Sequence, residues 1–251
     1  MPKVIILGSS NAIPDEQHEN SHMALVGDER LVLIDCVNNP IVRLKKAGLE
    51  VENITDLILT HFHPDHVSGV PLLLMDMWLM GRKNDLRIFG LDYTLDRLET
   101  MMDLYGWEAW PDFFPVQLHR VPENNMTVVQ ENDQWRIYSS PVQHIIPNIG
   151  LRVEFPASGM VFAYSGDTEP CKQVIELADK ADILVHESAG ASMGHTDASN
   201  AGHIAETAGA NKLYLIHYPN GRFKDEDLIN RAAQQYSGPV QLAEDFMQFS
   251  F

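Results

Sequence analysis

Residues 54–59 form an apolar stretch that runs through Thr60 straight into His61, Phe62, His63, Pro64, Asp65 and His66. Three imidazoles and a carboxylate within six residues exceed what one four-coordinate ion needs. His61 and His63 are two positions apart, so on an extended or turning backbone their side chains fall on the same side. Asp65 and His66 can then face a second position beside the first. Such a set suits two cations about 3.5–4 Å apart. The apolar run before it reads as a buried strand. The chain therefore has to fold so that a strand end carries a metal loop, with further ligands brought to it from elsewhere.

Strand and helix signals alternate along the chain. Residues 3–7 read as a strand, and 23–26 and 31–35 as a hairpin around Gly27, Asp28 and Glu29. Helices are expected over 40–47, 95–105, 171–178, 198–208 and 225–235, with Gly48 and Gly209 as stops. Strand signals recur at 86–89, 127–129, 135–138, 151–155, 161–164, 183–185, 213–216 and 240–243. No repeat or linker interrupts them, so one layered α/β domain over 1–251 is expected. Residues 71–80 are apolar almost all round, and Trp107, Trp110, Phe113 and Phe114 crowd a short loop. An apolar insert or lid around 70–120, which could also serve a homodimer interface, is expected from that composition.

With 251 residues and 45% hydrophobic content, the chain can bury a sizeable core. Two cysteines, Cys36 and Cys171, are too few for a disulfide framework. No secretory leader is legible and no apolar run reaches the roughly 18–20 residues of a membrane span. A cytoplasmic protein without membrane contact is expected. Eighteen basic against 35 acidic residues leave a net charge of −17, which repels long polyanions.

The run from His61 to His66 resembles the histidine-any-histidine-any-aspartate-histidine signature of the metallo-β-lactamase superfamily. Further likenesses follow in order over essentially the whole chain. Leu33, Ile34, Asp35 and Cys36 resemble the strand whose aspartate supports the metal loop. His144 stands where a third imidazole is expected, Ser165, Gly166, Asp167 and Thr168 resemble the segment of a bridging aspartate, and His217 resembles the last ligand. The resemblance implies a four-layer αββα sandwich with its metals at one edge of two sheets. It implies one ion on His61, His63 and His144, a second on Asp65, His66 and His217, and Asp167 between them. Two divalent ions, zinc first and manganese or iron as alternatives, are the implied cofactors, with a shared water as nucleophile.

A narrower likeness is to the ribonuclease Z group of transfer-RNA 3′-processing enzymes. Residues 182–188 resemble its aspartate–apolar–histidine–glutamate segment, and Gly194, His195 and Thr196 its glycine–histidine–hydroxyl element. This implies that His195 assists the leaving oxygen, that Glu187 orients His195, and that Asp65 holds the water and acts as base. The basic arm with which that group grips transfer RNA is not recognisable, and residues 81–120 are apolar instead. Together with the charge, this leads to the expectation of a phosphodiesterase acting on a small phosphodiester or other small ester, with extended nucleic acid not a partner. The alternatives are a carboxylic ester or lactone hydrolase, a transfer-RNA 3′-processing endoribonuclease, and a metal-binding regulatory protein without turnover.

Overall fold

The structure is a computed structural model that describes residues 1–221 and 227–251. The first half builds one sheet from β1 (Lys3–Gly8), β2 (His22–Val26), β3 (Leu31–Ile34), β4 (Ile54–Ile58), β5 (Leu86–Gly90) and β6 (Val116–Arg120). The second half builds another from β7 (Thr127–Glu131), β8 (Arg136–Val142), β9 (Asn148–Phe155), β10 (Met160–Tyr164), β11 (Ile183–Glu187), β12 (Leu213–Ile216) and β13 (Val240–Leu242). A last strand, β14 (Gln248–Ser250), returns to pair antiparallel with β1, so each sheet has seven strands. Both sheets are mixed: β3 to β6 run parallel in the first, and β10 to β13 in the second.

Alternation along the strands explains the layers. In β1, Val4 and Ile6 face the other sheet, whereas Ile5 and Leu7 face outward into a second apolar cluster. In β3, Val32 and Ile34 face inward and Leu31 and Leu33 outward. In β12, Ile216 lies between the sheets while Leu213 and Leu215 lie outside the second one. Each sheet is thus apolar on both faces and must be covered. Helices α1 (Pro40–Lys46), α2 (Pro64–Val67), α3 (Val70–Leu79) and α4 (Asp92–Leu104) lie in the first half; the outer cluster on that sheet takes residues from all four. Helices α5 (Lys172–Leu177), α6 (Ala198–Ala208) and α7 (Leu228–Ala233) supply the cluster outside the second sheet. The result is the αββα sandwich that the resemblance implied. The helix expected over 225–235 occupies Leu228–Ala233, and residues 225 and 226 lie outside the described residues.

Residues 70–120 take part in this architecture. Leu73, Leu74 and Met77 of α3 and Leu95, Leu98 and Met102 of α4 are buried against the first sheet, and β5 and β6 extend it. Trp78 stacks on Trp110 with ring centroids 5.0 Å apart, and its Nε1 donates to Pro111 O. Among the described residues, no helix is long and apolar enough to cross a membrane.

Two polar links cross or brace the sandwich. Asp56 of β4, fully buried, accepts from Arg87 Nε at 2.6 Å and Gln130 Nε2 at 2.8 Å and pairs with Arg30 at 3.3 Å. Gln130 lies on β7 in the other sheet, and its Oε1 accepts from the buried Trp135 indole at 3.0 Å. Asp245 accepts from Ser9 Oγ and Glu19 N and pairs with Arg43, which ties the chain's last segment to the loop after β1.

Candidate metal centre

The parallel strands of both sheets end at one edge, and the loops that leave them converge there. β4 delivers Thr60 and His61, β10 delivers Asp167, β11 ends on Glu187, and β12 is followed at once by His217. Ligands at strand ends are held by the sheets themselves, which explains why residues so far apart in sequence meet. Gly166 makes the turn before Asp167: its φ is +62°, and a Cβ there would lie 2.6 Å from Ile149 O. His217 adopts φ +54° just after β12, which turns it back over the edge.

The structure brings all seven expected ligands together. His61, His63 and His144 form one group and Asp65, His66, Asp167 and His217 another; within each group the candidate donor atoms lie within 4.8 Å of one another. His61 Nε2 and His144 Nε2 stand 3.0 and 3.1 Å from His63 Nδ1. Nitrogens sharing a tetrahedral ion at bond lengths of about 2.0–2.1 Å would be about 3.3 Å apart, close to this spacing. In the second group, Asp167 Oδ2 is 3.3 Å from His66 Nε2 and 3.2 Å from His217 Nε2, and 3.9 Å from His61 Nε2 in the first group. Asp65 Oδ2 is 3.7 Å from His66 Nε2 and 4.0 Å from His217 Nε2. Asp167 therefore sits between the groups.

Hydrogen bonds behind the rings fix which nitrogen faces the centre. Thr60 Oγ1 donates to Asp35 Oδ2 and so accepts from His61 Nδ1 at 3.0 Å, leaving His61 Nε2 unprotonated. His144 Nδ1 donates to Gly194 O at 2.6 Å. His66 Nδ1 donates to Asp35 Oδ2 at 2.7 Å. Ser21 Oγ gives its proton to Ser10 O and so receives His217 Nδ1 at 3.3 Å. For His61, His144 and His217, which burial keeps neutral, a lone pair on Nε2 is left to face the centre.

Two buried atoms there, His66 Nε2 and Asp167 Oδ1, have no hydrogen-bond partner. Such orphans cost about 1–3 kcal/mol each unless something satisfies them. Cations do so, and the donor set of five imidazoles and two carboxylates fits divalent ions. The electrostatics agree. Burial lowers His61, His63 and His144 and brings His217 down to about 4, which keeps these rings neutral and able to coordinate. Burial pushes against the charged form of Asp167, but His217 and His66 hold it well below the usual carboxylate range. Burial likewise opposes a charge on His66, yet Asp167 and Asp35 raise it well above an ordinary imidazole. Asp35 itself is pushed up by burial, although His66 and Thr60 donate to it.

Beside both groups lies His195. One donor atom each from His144, Asp167 and His195 fall within 4.8 Å of one another. His195 Nδ1 is 2.9 Å from Glu187 Oε1. Glu187 is fully buried and also accepts from Thr168 N, Thr196 N and Ala189 N. Burial pushes this carboxyl up to about 7, against the hydrogen bond from His195. For His195, burial works downward, but the hydrogen bond and charge of Glu187 outweigh it and the net direction is up. His186, by contrast, is buried on the neighbouring position and driven down to about 4, with Nδ1 turned to Glu187 O.

Two supporting residues escaped the sequence reading. Ser21 holds the His217 ring across 196 positions of sequence, and no local pattern announces it. Glu169 accepts from Gly194 N at 2.9 Å and thereby braces the loop whose carbonyl holds His144. Its only signal is its place two residues after Asp167.

Comparisons with known proteins agree with this geometry. The family described as Beta-lactamase superfamily domain matches residues 30–218, well over half the chain. A ribonuclease Z of Methanothermobacter thermautotrophicus is 28% identical, over 98% of this chain and 96% of that protein. That alignment runs over 301 positions against a chain of 251 residues, so the relative carries segments this chain lacks. Among solved structures, the metallo-beta-lactamase fold protein YhfI from Bacillus subtilis superimposes with a TM-score of 0.83 at 21% identity, covering 99% of this chain and 98% of that one. The short form of human tRNase Z superimposes with a TM-score of 0.79 at 24% identity, with the same coverage.

These relatives correct one expectation. A small-molecule partner, with extended nucleic acid excluded, does not stand, because proteins named ribonuclease Z and tRNase Z match this chain nearly end to end. The physical reason is that a net charge of −17 sums the whole surface, whereas cations in the site set the local sign. The sandwich, the convergence of the seven ligands and the family match together establish that the chain belongs to the metallo-β-lactamase superfamily of metal-dependent hydrolases.

Proposed function

We propose that the chain is a ribonuclease Z-type endoribonuclease that hydrolyses a phosphodiester bond of a transfer-RNA precursor. The observation that carries this reading is His195: it is tied to a buried Glu187 and stands within 4.8 Å of His144 and Asp167, donor atom to donor atom. A general acid beside the metals suits an RNA phosphodiester, whose ribose oxygen leaves poorly unless it is protonated. The names of the similar proteins point the same way.

In this reading His61, His63 and His144 would hold one divalent ion and Asp65, His66 and His217 the other, with Asp167 placed between the two groups. Zinc suits this donor set, and manganese or iron is compatible with it. Bound there, two such ions would supply an acidified water and offset charge developing on the phosphate. Asp65, the most open of the ligands in its group, orients the attacking water and takes its proton. Glu187 accepts from His195 Nδ1 and keeps the ring turned so that Nε2 delivers a proton to the departing oxygen. The test is a precursor transfer RNA with a 3′ trailer, incubated with metal-loaded protein. One endonucleolytic cut that His195→Ala slows by about 10²–10⁴-fold at unchanged metal content is expected, and a precursor left intact by the metal-loaded wild type overturns the reading.

A further inference from the structure

Thr168 and Glu169, the two residues after Asp167, reach the residue that precedes each of two site histidines. Gln143, just before His144, has both its backbone groups held: its N donates to Thr168 Oγ1 at 3.1 Å, and its O accepts from Glu169 N at 2.7 Å. Gly194, just before His195, donates its N to Glu169 Oε1 at 2.9 Å. The other oxygen of that carboxylate, Oε2, accepts from Gln143 Nε2 at 2.9 Å. Glu169 therefore links the approach to His144 with the approach to His195. Just past His195, Thr196 Oγ1 donates to Thr168 O at 2.5 Å and Thr196 N to Glu187 Oε1 at 3.1 Å. The loop that carries His195 is thus held at Gly194 by Glu169 and at Thr196 by Thr168 and Glu187.

These holds converge on the peptide group between Gly194 and His195. Its oxygen accepts from His144 Nδ1 at 2.6 Å, and its N–H, that of His195, donates to Ser192 O at 3.0 Å. The orientation of this one plane sets the His144 ring and the point from which the His195 side chain starts. Gly194 is buried at φ +80°, and a Cβ on it would stand 2.8 Å from His144 Nδ1, so the loop lies directly against the ring. Glycine has no Cβ to restrict the plane, so the hydrogen bonds on either side of it hold it in place. We propose that Glu169 is a positioning residue that sets His144 for its ion and His195 for the leaving oxygen through this shared peptide group. Without the Glu169 carboxylate, Gly194 N is released, the plane can turn, and both rings lose their placement together. Partners that orient a metal-binding histidine from behind govern affinity in this way. The His144 half depends on the ligand set alone; the His195 half rests on the proposed RNA cleavage.

The experiment compares wild type, Glu169→Ala and Glu169→Gln. Zinc affinity is read by competition with a chromophoric chelator. At saturating zinc, kcat is read on RNA and on a bis-aryl phosphodiester, whose aryloxide leaves without a proton. In Glu169→Ala one of the two ions is expected to bind about 10–100-fold more weakly, and the other to change far less. Its kcat on RNA should fall about tenfold or more, with a smaller loss on the aryl ester. The glutamine oxygen can still accept from Gly194 N, and the Gln143 amide can turn to meet the new side chain. Glu169→Gln should therefore stay within about threefold of wild type in every measurement. A residue that only supports the fold would weaken both ions alike and slow both substrates alike, and that result overturns the proposal. So does wild-type zinc affinity in Glu169→Ala, or a Glu169→Gln variant as impaired as Glu169→Ala. Wild type that cleaves the aryl ester and leaves RNA intact overturns the RNA reading and the His195 half with it, while the chelator titration still decides the His144 half.

Discussion

The carboxylate of Asp35 and the imidazole of His66 share a 2.7 Å hydrogen bond between Oδ2 and Nδ1 in a fully buried setting. Asp35 also accepts from Thr60 N and Thr60 Oγ1, both at 2.8 Å, and Thr60 passes this order on to His61. One carboxylate thus orients a ring in each ligand group. Asp35 adopts φ +61°, a conformation that asparagine also tolerates. Asp35→Asn is therefore expected to fold, yet to lower metal affinity about 10–100-fold. Competition with a chromophoric chelator measures it, and wild-type affinity in the variant would refute the orienting role.

Removal of the His195 ring should leave the ligands in place and remove the acid. His195→Ala is expected to lower kcat on RNA by about 10²–10⁴-fold while metal content holds, read by steady-state kinetics beside elemental analysis. A variant within threefold of wild type would place the acid elsewhere.

The His195–Glu187 pair also predicts a pH effect. Glu187 raises His195 above its ordinary 6.5, so the protonated acid persists to higher pH, and kcat falls as pH rises through that raised value. Glu187→Gln removes the charge that does the raising. The alkaline limb of the kcat profile should move to lower pH in the variant; a limb that stays in place, or moves up, contradicts the pairing.

Away from the site, Asp56 joins the two sheets through Gln130 and neutralises Arg87. Asp56→Ala leaves those donors buried without their acceptor and is expected to cost about 3–5 kcal/mol of stability. Urea unfolding at equilibrium tests it, and a loss below about 1 kcal/mol would mean that water replaces the carboxylate.

Much of this was legible in the sequence because the signals are local. A ligand run after an apolar strand, the alternation in β1 and β3, and the glycine after α6 each declare themselves within a few residues. What stayed hidden depends on distant partners. β6 is a half-exposed strand of Val, Gln, Leu, His and Arg, recognisable only by its pairing with β5. β14 has three residues and exists because β1 offers it an edge. Ser21 and Glu169 act on rings and loops that only the closed sandwich brings near. The charge misled for a different reason: it is a property of the whole surface, and the candidate metal centre occupies one edge.

The central claim is that seven side chains from four separate segments make one two-cation centre. Equilibrium dialysis against zinc, followed by elemental analysis of wild type and Asp167→Ala, tests it most directly. Two ions per wild-type chain, with at least one lost when Asp167 is removed, are expected. A single ion per chain, or two that survive the loss of Asp167 undiminished, would contradict it.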